Sequence, residues 1–311
     1  MKKLFAVLVP LIVLTLVFAP PALCRKNVIK IGINAPMTGD IPKVGEGTKF
    51  AGQMWLEDIK KAGGLKVGDK VMGLARTNWV QQIRDKAESF IRLPSKVDLA
   101  QAAMLKVNVA TAHLMLTTNV PLSKGDWVIQ DAANSGVGVN LIRLAHADGI
   151  RTVNVVRRTE LIEPLMKLGA DVVVVDAPDL ADRVAKETGG ANIKLGIDAV
   201  AGSAIGRLTN CVGEGGTVVN YGLLSGEDCR VNAFNFVFRD IKLVGFWLAK
   251  VMRELSSAEI QKMYERLGAR LLDGTIHVDI EASYPLEHVS DAMAHAKRES
   301  RGGKVQLRPN G

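Results

Sequence analysis

From residue 125 to residue 221 the chain alternates short apolar runs with amphipathic stretches, and the first apolar run enters a turn made of small residues. Gly125-Asp126-Trp127-Val128-Ile129-Gln130-Asp131 reads as a turn entering a buried parallel strand. Ala132-Ala133-Asn134-Ser135-Gly136-Val137-Gly138 is the tight bend, and 139–148 is a helix with apolar residues at Leu141, Ile142, Leu144 and Ala145. Strands at 152–156, 171–175, 193–200 and 217–221 then alternate with helices at 160–168, 180–188 and 203–211. Short apolar strands separated by amphipathic helices indicate an α/β protein with a doubly wound parallel sheet.

Strand, small-residue turn and helix together form the context of a dinucleotide fingerprint. Small residues let the backbone approach a pyrophosphate, and the amides at the helix start stabilise its charge. The expected contacts are Asn134, Ser135, Gly136, Val137 and Gly138, with Gly138 where the helix comes close to the strand. Ser135 stands where a glycine is usual. The next strand ends in Arg157-Arg158, where a carboxylate would bind the ribose hydroxyls of NAD. A guanidinium suits a 2′-phosphate instead, which predicts NADP(H); the plainer alternative is a solvated arginine pair at a strand end. Gly222-Leu223-Leu224-Ser225 leaves a strand at its carboxyl end, where such sheets bind ligands, and Tyr221 beside it reads as a packing residue.

The net charge of +8 invites a nucleic-acid reading, but the basic residues are scattered, without an aromatic-interleaved stripe, so no nucleic-acid partner is expected. Cys24, Cys211 and Cys229 form no CxxC pair, so neither a metal site nor a disulfide framework is expected.

The first segment has a different character. Met1-Lys2-Lys3, an apolar run at 4–19 and Pro20-Pro21-Ala22 have the layout of a secretory leader, assigned to 1–24. The run is shorter than the roughly 20 residues a membrane-spanning helix needs, though an uncleaved anchor is the alternative, and membrane contact is expected only through this leader. Val28-Ile29-Lys30-Ile31-Gly32-Ile33, a turn-rich loop and a helix at 49–61 follow. They resemble the opening unit of periplasmic branched-chain amino-acid-binding proteins, which would put Thr38 and Gly39 near a ligand cleft.

From about residue 67 onward the chain resembles another family. Arg76-Thr77-Asn78-Trp79-Val80-Gln81, Phe90-Ile91-Arg92-Leu93-Pro94 and Asn108-Val109-Ala110-Thr111-Ala112 are similar to segments of medium-chain dehydrogenases/reductases, in the branch of 2-enoyl thioester and quinone reductases. Phe238-Arg239-Asp240-Ile241 and Gly245-Phe246-Trp247-Leu248 add to the likeness, as does a closing helix (257–272), strand (276–280), helix (286–297) and strand (304–307). Val109 stands where that family usually has proline. The resemblance implies a binding-protein-like βα fragment at 25–66 and a partial GroES-like, β-rich catalytic domain at 67–107. A Rossmann domain at 108–240 and a return to the catalytic domain at 241–311 would follow. The change of identity at 67–71 marks either a genuine fusion or a gene-assembly error.

The implied chemistry is NADPH-dependent reduction of an activated C=C bond, of a 2-enoyl thioester or else of a quinone or other alkene. A cofactor-binding module without turnover and an exported amino-acid-binding protein are the other readings. Tyr221, Gly222, Phe246, Trp247 and Lys304 are implied to lie near the cofactor, and Asn108, Thr111 and Trp247 near the cleft. The tyrosine that serves the enolate oxygen in enoyl reductases has no counterpart, since Tyr221, Tyr264 and Tyr284 all lie far downstream. A homodimer is implied by the same likeness. The leader argues for export, while the cofactor argues for the cytoplasm.

Overall fold

The computed structural model describes residues 65–66, 68–75, 78–298 and 301–310. The leader, nearly all of the binding-protein-like fragment with Thr38 and Gly39, and Val67 at the junction lie outside the described residues. Apart from Lys66 and Gly68, the described residues fall in one compact unit.

An antiparallel pair comes first, β1 (Val71–Gly73) with β2 (Phe90–Arg92). The chain after Asp98 is helical in three consecutive pieces, α1 (Leu99–Ala102), a π-helical turn at Leu105–Val109 and α2 (Ala110–Thr118). Asp98 caps α1 by accepting the Ala100 N–H at 2.9 Å. The buried Tyr264 donates its hydroxyl to the Lys106 carbonyl, inside the π turn, at 2.9 Å.

The central sheet carries the architecture. β3 (Trp127–Gln130), α3 (Gly136–Asp148), β4 (Arg151–Val156), α4 (Ile162–Lys167) and β5 (Val172–Val175) build one half. The other half comprises α5 (Leu180–Thr188), β6 (Ile193–Asp198), α6 (Ala204–Cys211), β7 (Thr217–Asn220), α7 (Ala233–Val237) and β8 (Lys242–Gly245). The six strands lie in the order β5-β4-β3-β6-β7-β8 and all pair in parallel. This is the doubly wound sheet the sequence implies, with its sixth strand just past residue 240. β3 is buried along its length, and side chains such as Ile129, Ile197 and Val218 are sealed from solvent. Each such side chain contributes roughly 1.5–3 kcal/mol through burial.

α8 (Leu248–Glu254), α9 (Ser257–Leu272), β9 (Ile280–Pro285), α10 (Val289–Ala296) and β10 (Lys304–Arg308) complete the unit, β9 and β10 running parallel. The strand expected at 276–280 is instead found at 280–285. Ile276 and Val278 are buried, as their alternation suggests, but no strand among the described residues pairs with them. The Gln101 side chain takes that place: its Nε2 donates to the Val278 carbonyl at 2.8 Å and its Oε1 accepts the Val278 N–H at 2.9 Å. No helix among the described residues is long and apolar enough to cross a membrane.

Candidate functional site

In a doubly wound sheet, ligands bind beyond the carboxyl ends of the strands where the strand order reverses, here between β3 and β6. The turn leaving β3 is held from below by a buried polar chain. Gln130 donates through Nε2 to the Gly138 carbonyl (3.0 Å) and to Asn154 Oδ1 (2.7 Å). Asn154 in turn donates to Thr152 Oγ1 (2.9 Å) and the Val172 carbonyl (3.1 Å). Sequence reasoning missed this support, although polar residues inside apolar strands were its visible signal. Ser135 caps α3, accepting the Gly138 N–H on its hydroxyl at 3.1 Å. A Cβ on Gly138 would collide with the Ala133 carbonyl, so this glycine permits the close approach of helix and strand. Ala132 bends the chain at φ 43°, a left-handed conformation usually given to glycine.

Three elements distant in sequence meet at Gly136. A Cβ there would lie 2.6 Å from Lys304 Nζ on β10 and 2.7 Å from Asn108 Nδ2 in the π turn. The first N–H groups of α3 have no carbonyl inside the helix to bond. An ammonium, an amide and helix-start N–H groups thus converge where the chain carries no side chain, a donor set suited to a phosphate. Lys304 is partly buried, and burial followed by the neighbouring Arg301 lowers its pKa from the ordinary lysine value. A bound anion would offset both effects.

Tyr221 extends this wall. Burial pushes its hydroxyl up to about 12, against the opposing hydrogen bond with Ser135, so it stays protonated near neutrality. Asn220 donates to Asp198 Oδ2 (2.5 Å) and to the Gly222 carbonyl (2.9 Å), fastening the loop after β7 to that after β6. A Cβ on Gly222 would lie 2.6 Å from the Ala199 carbonyl, so the two loops touch through bare backbone.

Asn134 is exposed on the turn, beside the partly exposed Val137. Arg157 and Arg158 are exposed directly after β4; Arg158 pairs with Glu160 at 3.3 Å, whereas Arg157 has no ion pair among the described residues. Thr111 and Phe246 are buried in the core. Trp247 is 58% exposed, with the Arg253 guanidinium 5.1 Å from its ring centre. Tyr264 and Tyr284 are bonded elsewhere, to Lys106 and His295. A pair that sequence reasoning did not single out, Asp131 and Asp198, ends β3 and β6 at the reversal itself.

Residues 136–268 match the family described as zinc-binding dehydrogenase. Among the described residues no three His, Cys, Asp or Glu side chains come together as a metal site, so the donors for zinc are not found there. The chain is 31% identical over 268 residues to the mitochondrial enoyl-[acyl-carrier-protein] reductase of Rattus norvegicus, covering 81% of this chain and 69% of the relative. Against curated relatives of that name the chain spans from 43% to 77% of their length. A Pseudomonas syringae quinone oxidoreductase superposes with a TM-score of 0.64 at 25% identity, covering 72% of this chain and 69% of its own. An Etr1p variant solved with NADP and crotonyl-CoA superposes at 0.64 and 20% identity, covering 76% and 73%, which shows the shared fold.

Proposed function

The chain belongs to the medium-chain dehydrogenase/reductase family, and from that premise we propose an NADPH-dependent reductase of an activated C=C bond, that of a 2-enoyl thioester. The observation that carries this reading is the meeting of Lys304 Nζ, Asn108 Nδ2 and the start of α3 at Gly136. Bound NADPH would supply a hydride to the β-carbon of the alkene, and a proton taken up at the α-carbon would complete the reduction. Lys304, Asn108 and the first-turn amides would hold the pyrophosphate, while Ser135 and Gly138 keep the turn in shape. Arg157 would take the 2′-phosphate, with Arg158 turned toward Glu160. Tyr221, protonated and engaged with Ser135, would steady the turn rather than move a proton. Gly222 and the exposed Trp247 would border the nicotinamide end, with Phe246 and Thr111 packed in the core behind them. Orientation of donor and acceptor then supplies most of the rate.

Purified full-length protein should oxidise NADPH with a crotonyl thioester faster than with a quinone, and faster than it oxidises NADH. Faster turnover with the quinone would favour the second reading, supported by the likeness to the Pseudomonas syringae oxidoreductase. NADPH binding without turnover on either substrate would leave a cofactor-binding module.

The curated relatives are named as mitochondrial, which favours an NADPH-holding compartment over the export implied by the leader at 1–24. Locating a tagged full-length chain by fractionation separates the two. The fragment at 25–66 is read as binding-protein-like, and the absence of heat on leucine titration would remove an amino-acid-binding role. A second copy would pair along β8, which is a sheet edge with all four residues exposed.

A further inference from the structure

The last strand pair contains an irregularity next to Lys304. Lys304 lies opposite Ile280 but Val305 lies opposite Ala282, so Glu281 is the extra residue of a β-bulge. Bulges re-aim neighbouring side chains. The Glu281 carboxylate is anchored on both oxygens: Oε2 accepts the Gly303 N–H at 3.2 Å, and Oε1 lies 2.7 Å from His295 Nε2. The other ring nitrogen, Nδ1, is 2.9 Å from the Tyr284 hydroxyl, and His295 is buried on α10. Gly303 is sterically required, because a Cβ would lie 2.5 Å from the Asp279 carbonyl. That same carbonyl accepts the Lys304 N–H at 2.7 Å. The chain therefore enters β10 through a clamp, and the next side chain reaches Gly136.

We propose that Tyr284, His295 and Glu281 form a positioning relay that fixes Lys304 in the phosphate pocket, so that Glu281 governs cofactor affinity without touching the cofactor. The proposal rests on Lys304 being a cofactor ligand. With His295 protonated on Nε2, the donors converge on Glu281: the Tyr284 hydroxyl donates to Nδ1, Nε2–H donates to Oε1, and the Gly303 N–H donates to Oε2. The hydrogen bond from His295 is the largest cause holding the Glu281 carboxyl below its usual range, so the clamp keeps its charge. A desolvated ammonium gains hydration by swinging out, and a turn held at both ends opposes that motion.

A double-mutant cycle read by NADPH titration of the full-length chain tests this. Glu281→Gln should raise the NADPH Kd about tenfold, as expected for loss of one charge-assisted hydrogen bond. With Lys304→Met already in place, Glu281→Gln should add no further loss of affinity, while it lowers the melting temperature equally in both backgrounds. Tyr284→Phe, which removes only a hydroxyl, should show the same pattern more weakly and serves if Glu281→Gln fails to fold. Equal loss of affinity with and without Lys304 would overturn the relay, as would unchanged affinity in Glu281→Gln when Lys304→Met binds weakly. If Lys304→Met itself binds NADPH as tightly as the parent, the ligand reading of Lys304 falls and the relay falls with it.

Discussion

Asp131 and Asp198 face each other where the sheet reverses, and each carboxyl holds a backbone amide of the loop that follows β6. Asp131 Oδ1 accepts the Ala199 N–H at 2.7 Å, and both oxygens of Asp198 accept the Ala201 N–H at 3.1 Å. The second oxygen of Asp131 is buried without a donor. Burial first and the side-chain hydrogen bond with Asp198 second hold the Asp131 carboxyl well above the usual carboxylate range.

The sign of the resulting pH effect is fixed. The folded chain binds this proton more tightly than the unfolded one, so the contribution of Asp131 is greatest below about pH 4 and declines as pH rises toward the raised value. Asp131→Asn keeps the acceptor for Ala199 and adds a permanent donor toward Asp198. Its melting temperature should exceed the parent's by about 2–4 °C at pH 8, on the order of 1 kcal/mol, with a smaller difference at pH 5. Thermal scans at the two pH values decide, and a pH-independent offset would count against a raised Asp131 carboxyl.

Selectivity for the 2′-phosphate should lie mainly with Arg157. Arg157→Glu should lower the ratio of kcat/KM for NADPH over NADH by roughly 10- to 100-fold, the worth of a charge-assisted pair. Arg158→Glu, already drawn to Glu160, should cost far less. Steady-state kinetics with both cofactors test the ranking, and equal effects would refute it.

Gly136→Ala places a methyl group where Lys304 Nζ and Asn108 Nδ2 now meet. Alanine is a better helix former than glycine, so the melting temperature should hold within a few degrees. NADPH affinity should fall at least about tenfold, since the phosphate's place is filled. Isothermal titration beside a thermal scan separates the two effects. Retained affinity would mean that the phosphate lies elsewhere.

The β8 edge should mediate self-association. Leu243 and Val244 are exposed there, and Val237 and Phe238 nearby are each 69% exposed. An uncovered apolar sheet edge is a template for pairing. Sedimentation should show a dimer for the parent and a monomer for Val244→Glu; a parent that is monomeric at micromolar concentration would end this reading.

The sheet could be read in the sequence because strands buried on both faces leave near-continuous apolar runs, as in Val172-Val173-Val174-Val175. α5 and α9 could be bounded to the residue: a left-handed Gly189 ends one, and the Ser256–Glu259 capping box starts the other. Local rules do not reach across the chain, however. Nothing near Asn108 announces that Lys304 will meet it, and the alternation at 276–280 reads as a strand whether its partner is a strand or the amide of Gln101. Asp131 and Asp198 each look like an ordinary strand-end acid until the fold sets them together. The three tyrosines, Tyr221, Tyr264 and Tyr284, all follow the turn after β3, so sequence order alone offers none to the substrate side.

Ala132 accepts its left-handed bend at a cost of about 1 kcal/mol, held by the Ala133 N–H on the Val155 carbonyl (3.3 Å) and the Ser135 N–H on its own carbonyl (2.8 Å). Anchoring of this kind lets a bend that favours glycine form on an alanine instead. Turns built in this way would be found by searching for backbone angles instead of spelling.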